Sequence, residues 1–263
     1  MKAIKIILKI LGIVLLVLVV LGGVGYLFRD SILPILMAKM PGNLEQYHVE
    51  NVSEDSDSPL RGMNFIFLGS SVTEGSGALD VSFVDYMEKI DGITVIKEAV
   101  SGTTLVTEGD SDGSSYIPRM KTIDPAFPAD CFVCQLSTND ASQKKALGTV
   151  SESFDMADFD TDTIAGAIET VIAYAQETWH CPVVFYTGTR YDSAEYGQMV
   201  ELLHEIQDKW GIGVIDMWND PDMNAVSAED YKLYMANEIH PTQAGYLLWW
   251  TPFMESYLYD FLK

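Results

Sequence analysis

A chain of 263 residues can hold one large α/β domain or two small ones, and its 48% hydrophobic content suffices for a packed core. Its 38 acidic residues against 16 basic ones give a net charge of -22, a field that repels phosphate backbones and argues against nucleic acid as a partner. Cys131, Cys134 and Cys181 lie in or beside apolar segments and read as buried free thiols; no second Cys pair completes a four-ligand site, and neither a metal nor another cofactor is expected.

The first element in chain order is residues 10–28, an unbroken apolar or glycine run. At 1.5 Å per residue its roughly 19 residues nearly match a ~30 Å hydrocarbon core, so it is expected to span a membrane. Lys2, Lys5 and Lys9 precede it and hold the N-terminus on the cytoplasmic side, sending the acidic remainder outward. The absence of a small-x-small cleavage site after the run favours an uncleaved anchor over a signal peptide. Residues 1–29 are therefore assigned to a basic stub and anchor, and residues 30–60, rich in turn and polar residues, to an extracytoplasmic stalk.

Residues 61–263 are assigned to one domain in which short apolar runs alternate with helical patterns. Strands are expected at 64–68, 93–99, 131–136, 182–187 and 213–217, and helices at 83–90, 116–123, 163–179, 194–210 and 243–262. Near-continuous apolar strands alternating with helices imply α/β architecture: a flavodoxin-like five-stranded parallel sheet, order 2-1-3-4-5, between two helical layers. Open parallel sheets bind ligands beyond the carboxyl ends of their strands. Three of those ends are polar: Gly69-Ser70-Ser71, Ser101-Gly102 and Ser137-Thr138-Asn139-Asp140.

A serine acts as nucleophile only where a base takes its proton and donors hold the oxyanion formed on the attacked carbonyl. Ser71 follows a buried strand through Gly69, which permits a tight turn; its own N–H, that of Gly102 and the Asn139 amide are candidate oxyanion donors. His48 lies in the stalk segment, His204 inside a helix and His180 at the opposite sheet edge. His240, just before the last helix, remains as the base.

These blocks resemble the SGNH, or GDSL-like, hydrolases, a family named for Ser, Gly, Asn and His in four separated stretches. Here they are Gly69-Ser70-Ser71, Gly102, Ser137-Thr138-Asn139-Asp140 and His240-Pro241, and the resemblance covers residue 64 to the C-terminus. It implies a three-layer α/β/α fold and ester hydrolysis through a covalent acyl-enzyme, without metal. Two departures stand out. Ser70 replaces the aspartate of the family motif, and Asn237 occupies the place, three residues before the histidine, where the family's triad carries an acid. Asn237 can orient the ring without supplying charge; otherwise the pair runs as a dyad or recruits Glu238 or another carboxylate.

Arg190, Tyr191 and Trp218, after the fourth and fifth strands, are candidates for lining a substrate pocket. The expected substrate is an O-acyl, foremost O-acetyl, ester on a small molecule or surface glycan. An acyltransferase using the same residues, and a non-catalytic surface-binding module, are the rival readings.

Overall fold

The computed structural model describes residues 29–263. The run at 10–28 lies outside the described residues, and among those described no helix is long and apolar enough to cross a membrane. Five strands, β1 (Asn64–Gly69), β2 (Thr94–Ala99), β3 (Cys131–Gln135), β4 (Val183–Tyr186) and β5 (Gly213–Ile215), form one sheet in the order β2-β1-β3-β4-β5. Every pairing is parallel, as expected from the apolar strands.

The helices are α1 (Arg29–Met37), α2 (Ser71–Glu74), α3 (Phe83–Asp91), α4 (Tyr116–Met120), α5 (Thr138–Ser142), α6 (Ile164–Trp179), α7 (Ala194–Trp210), α8 (Ala228–Tyr234) and α9. The last runs through Gln243–Gly245, Tyr246–Trp250 and Thr251–Phe261, its middle stretch π-helical. Pro252 accounts for the widened turn, because it has no N–H to donate and its ring displaces the carbonyl of Leu248.

Successive strand residues point to opposite faces, and here both sets are apolar. Ile66, Leu68, Phe132, Cys134 and Phe185 pack with Ile117, Ile168, Val171 and Leu203 from α4, α6 and α7. Phe65, Phe67, Val133, Tyr186 and Ile215 pack with Phe83, Tyr86, Trp250 and Met254 from α3 and α9. The sheet is thus sandwiched between helical layers, and Cys131 and Cys134 of β3 and Cys181 just before β4 are buried and unpaired. Side chains of Ser82, Thr163, Ser193 and Thr242 each accept a backbone N–H at a helix start, which fixes where the covering helices begin.

Residues 41–60 depart from the expected stalk. They form three short 3-10 turns, Pro41–Asn43, Glu45–Tyr47 and Val49–Asn51, laid against the domain. Asn43 is buried: its Nδ2 donates to Gly77 O at 3.0 Å and its Oδ1 accepts from Gln243 N at 2.9 Å. Tyr86 Oη donates to Tyr47 O at 2.6 Å, and Leu60 is buried in the core on the α3 and α9 side. Asn43 is thus consumed by backbone groups of the domain and Ser58 by the Asp91 carboxylate, while residues 53–57 stay exposed.

Candidate active site

The chain turns from β1 into α2 at Ser71, and Gln135, the last residue of β3, holds the turn. Its Oε1 accepts from Ser70 N at 2.9 Å, Thr73 N at 3.2 Å and Thr73 Oγ1 at 2.8 Å. Thr73 Oγ1 also lies 2.6 Å from Tyr186 Oη of β4. Gly69 serves here by leaving room, since a Cβ on it would stand 1.7 Å from Thr73 Oγ1.

His240 comes from a loop closed by a bridge between Met235 and Pro241, with Ala236 N donating to His240 O at 2.9 Å. That loop brings His240 Nε2 to 2.7 Å from Ser71 Oγ, across 169 residues of sequence. On the other side of the ring Nδ1 lies 3.0 Å from Asn237 Oδ1. The same oxygen accepts from Ile239 N and His240 N, both at 3.0 Å, which fixes it as the carbonyl end of the amide. Nδ1 therefore carries the ring proton, and the Nε2 lone pair is free to accept from the Ser71 hydroxyl. Burial holds the His240 pKa below the usual histidine value, so the ring is neutral near pH 7. Among the described residues no carboxylate pairs with it; Glu238, the alternative orienter, is exposed.

The candidate oxyanion donors follow β1, β2 and β3. Ser71 opens α2, so its N–H is one that a helix start leaves without an intrahelical acceptor. Gly102 sits at φ +83°, a conformation that favours glycine, with open space where a Cβ would be. Asn139 Nδ2 donates one hydrogen to Thr103 O at 2.8 Å, which orients the amide and leaves its second hydrogen for a ligand.

Residues to which the sequence assigned no role tie these loops together. Glu74 Oε2 accepts from Ser101 N at 3.0 Å and also from Ser101 Oγ. Buried Arg119 donates through Nη2 to Gly69 O at 2.8 Å and Thr103 Oγ1 at 3.0 Å, and pairs through Nη1 with Glu98 at 3.1 Å. Buried Asp140 accepts from Leu105 N at 2.8 Å and Val106 N at 3.2 Å; its pKa is nonetheless raised, by burial. A polar Gln ending the run Cys131-Phe132-Val133-Cys134, and an Asp following Asn139, are the available signals for two of them.

The three pocket candidates sit apart from the Ser71–His240 pair in varying degree. Trp218 is buried in the core, packed edge-on to Tyr191 with ring centres 5.4 Å apart. Arg190 lies over Trp218 and donates to Trp218 O and Asn219 Oδ1, bracing the loops after β4 and β5. Only Tyr191 shares a small cavity with Val72 and Ile239, the neighbours of Ser71 and His240. His204 is engaged by Asp216 at 2.8 Å and His180 by Gln176 O at 3.0 Å, while His48 lies 3.3 Å from Asn43 O.

Fold and site together define a serine hydrolase on a three-layer α/β/α scaffold. The profile of the GDSL-like lipase/acylhydrolase family matches residues 67–248, and the chain belongs to that family, a carboxylic ester hydrolase. Solved structures share the fold. A protein from Lactobacillus plantarum aligns at 18% identity with a TM-score of 0.62, over 76% of this chain and 98% of its own. An acetyl xylan esterase aligns at 17% identity and TM-score 0.53, over 74% and 98%. A family two carbohydrate esterase from Clostridium thermocellum, in complex with cellohexaose, aligns at 13% identity and TM-score 0.54, over 76% and 64%. Curated proteins gave no match.

Proposed function

We propose that this protein is a membrane-anchored, extracytoplasmic serine esterase that removes small acyl groups, foremost acetyl, from surface carbohydrate. The observation that carries the chemistry is the 2.7 Å approach of His240 Nε2 to Ser71 Oγ, with a neutral ring whose proton sits on the far nitrogen. Ser71 Oγ attacks the ester carbonyl while Nε2 takes its proton; the carbonyl π electrons move onto oxygen, where the N–H groups of Ser71 and Gly102 and the Asn139 amide hold them. Collapse of this adduct expels the alcohol, which receives the proton from Nε2. Water, deprotonated by the same nitrogen, then releases the acid and restores Ser71.

Two lines support the finer reading. The apolar run at 10–28 behind three lysines supports the anchor and its orientation. The shared fold with the acetyl xylan esterase and the family two carbohydrate esterase supports an acetylated glycan as substrate. A fluorophosphonate probe tests the core of the proposal. Labelling of the wild type, absent from Ser71→Ala and accompanied by acetate release from acetylated glycan, is expected. A folded wild type that resists the probe would return the binding-module reading.

A further inference from the structure

Beside the catalytic pair lies a trough of about 410 Å³ with an unusual wall. One side is formed by Ser76, Gly77, Ala236, Asn237 and His240; the other is Leu33, Leu36, Met37 and Met40, from α1 and the residue stretch just after it. That apolar wall lies outside residues 67–248, the span that the family profile matches. Its side chains are aliphatic or thioether, with no aromatic ring for a sugar to stack on, and the only titratable group in the lining is His240 itself. Leu33 and Leu36 are 56% and 57% exposed, so the wall offers apolar surface that is not buried among the described residues.

The direction of the reaction says which part of a substrate reaches this surface. The leaving alcohol takes its proton from His240 Nε2, so the alcohol portion passes along the imidazole, whereas Gly102 and Asn139 gather around the carbonyl oxygen. The trough borders His240 and Asn237, on the face of the ring turned away from Ser71. Of the two halves of an ester, the one leaving along the imidazole is the one with a route past His240 to this wall. In sequence, α1 begins directly after the apolar run at 10–28, the segment proposed to enter the lipid.

We infer that the trough binds an aliphatic chain carried by the alcohol portion of the ester, so that the preferred substrate is an acylated glycolipid. This rests on the esterase reading above and narrows its substrate from surface carbohydrate in general to an amphiphile.

The test uses the full chain in phospholipid nanodiscs and two series of acyl glucosides below their aggregation concentrations. In the first, a 6-O-acetyl group is kept and the aglycone lengthened from methyl through butyl to octyl; in the second, the methyl aglycone is kept and the acyl group lengthened. A buried methylene is worth about a fourfold gain, so kcat/KM is expected to rise at least tenfold along the first series and little along the second. The double variant Leu36→Asn/Met40→Asn is expected to lose most of that rise while hydrolysing the methyl acetyl glucoside like the wild type. It meets the same partitioning into the disc, which isolates the trough. Free 1-octanol competing with the methyl substrate in wild type, and not in the double variant, gives the same answer by binding alone. Equal rates along the aglycone series, or a rise that follows the acyl group, overturns the inference and leaves the esterase standing. Absence of any Ser71-dependent acetate release overturns both.

Discussion

In the proposed mechanism, Asn237 is the residue on which the rate turns. Its carbonyl accepts the Nδ1 proton at 3.0 Å and is itself held by two backbone N–H groups, so the ring is oriented and its tautomer set without a carboxylate. What is missing is charge: once Nε2 has taken the serine proton, the imidazolium faces a neutral amide. Asn237→Asp places an anion at that position without moving the acceptor, and kcat on p-nitrophenyl acetate is expected to rise about tenfold or more, in keeping with the cost of triad changes elsewhere. A second effect separates electrostatics from packing. Burial holds the wild-type His240 below the usual histidine pKa, so activity persists into mildly acidic solution; a carboxylate favours the charged ring and moves the acid limb of the kcat/KM profile to higher pH. Unchanged kcat together with an unmoved acid limb in the folded variant would show that Asn237 is only a turn residue.

Between elements, the site depends on how closely the turn after α2 approaches the histidine loop. Gly77 lies in that turn, and a Cβ on it would stand 2.5 Å from Pro241 O and 2.8 Å from His240 Cβ. Gly77→Ala must therefore push the loop away from Ser71. A displacement near 1 Å costs on the order of 10²-fold in rate, so kcat is expected to fall by about that factor with a smaller change in KM, measured on p-nitrophenyl acetate with circular dichroism as the check on folding. A kcat within twofold of wild type would mean that the loop yields elsewhere. Such contacts explain what the sequence did and did not disclose. Apolar strands and capped helices are local patterns, which is why the sheet, its order and helices such as α7 could be read directly. Ser71, Gly102, Asn139 and His240 were legible because each sits in a short motif at a strand end or before a helix. Arg119 has no motif and Gln135 only a polar side chain closing an apolar strand: they matter through partners 50 and 65 residues away, Gly69 and Ser70, and only the folded chain reveals those partners. The segment 41–60 and α8 were missed for a related reason, because their polar composition reads as linker whether water or the domain satisfies it.

At the scale of the molecule, the segment 41–60, α3 and α9 are joined around a carboxyl pair remote in sequence from the catalytic residues. Asp91, fully buried at the end of α3, accepts from Ser58 Oγ at 2.6 Å and Tyr259 Oη at 2.8 Å. Beside it on α9 stands Glu255, whose pKa is pushed up to about 8, first by burial and then by the charge of Asp91. The sign of the consequence is definite. In the unfolded chain a glutamate releases its proton near pH 4.3; in the folded protein Glu255 keeps it until about pH 8. Across that window the native state holds a proton that the unfolded state has lost, so this group's contribution is complete in acid and drains away as pH rises. Glu255→Gln stays neutral throughout and escapes the loss. Its melting temperature is expected to match the wild type at pH 4.5 and to exceed it by a growing margin toward pH 9, with fluorophosphonate labelling of Ser71 unaffected. Melting curves for the two proteins that stay parallel across this range would mean that the pair ionises as freely when folded as when unfolded.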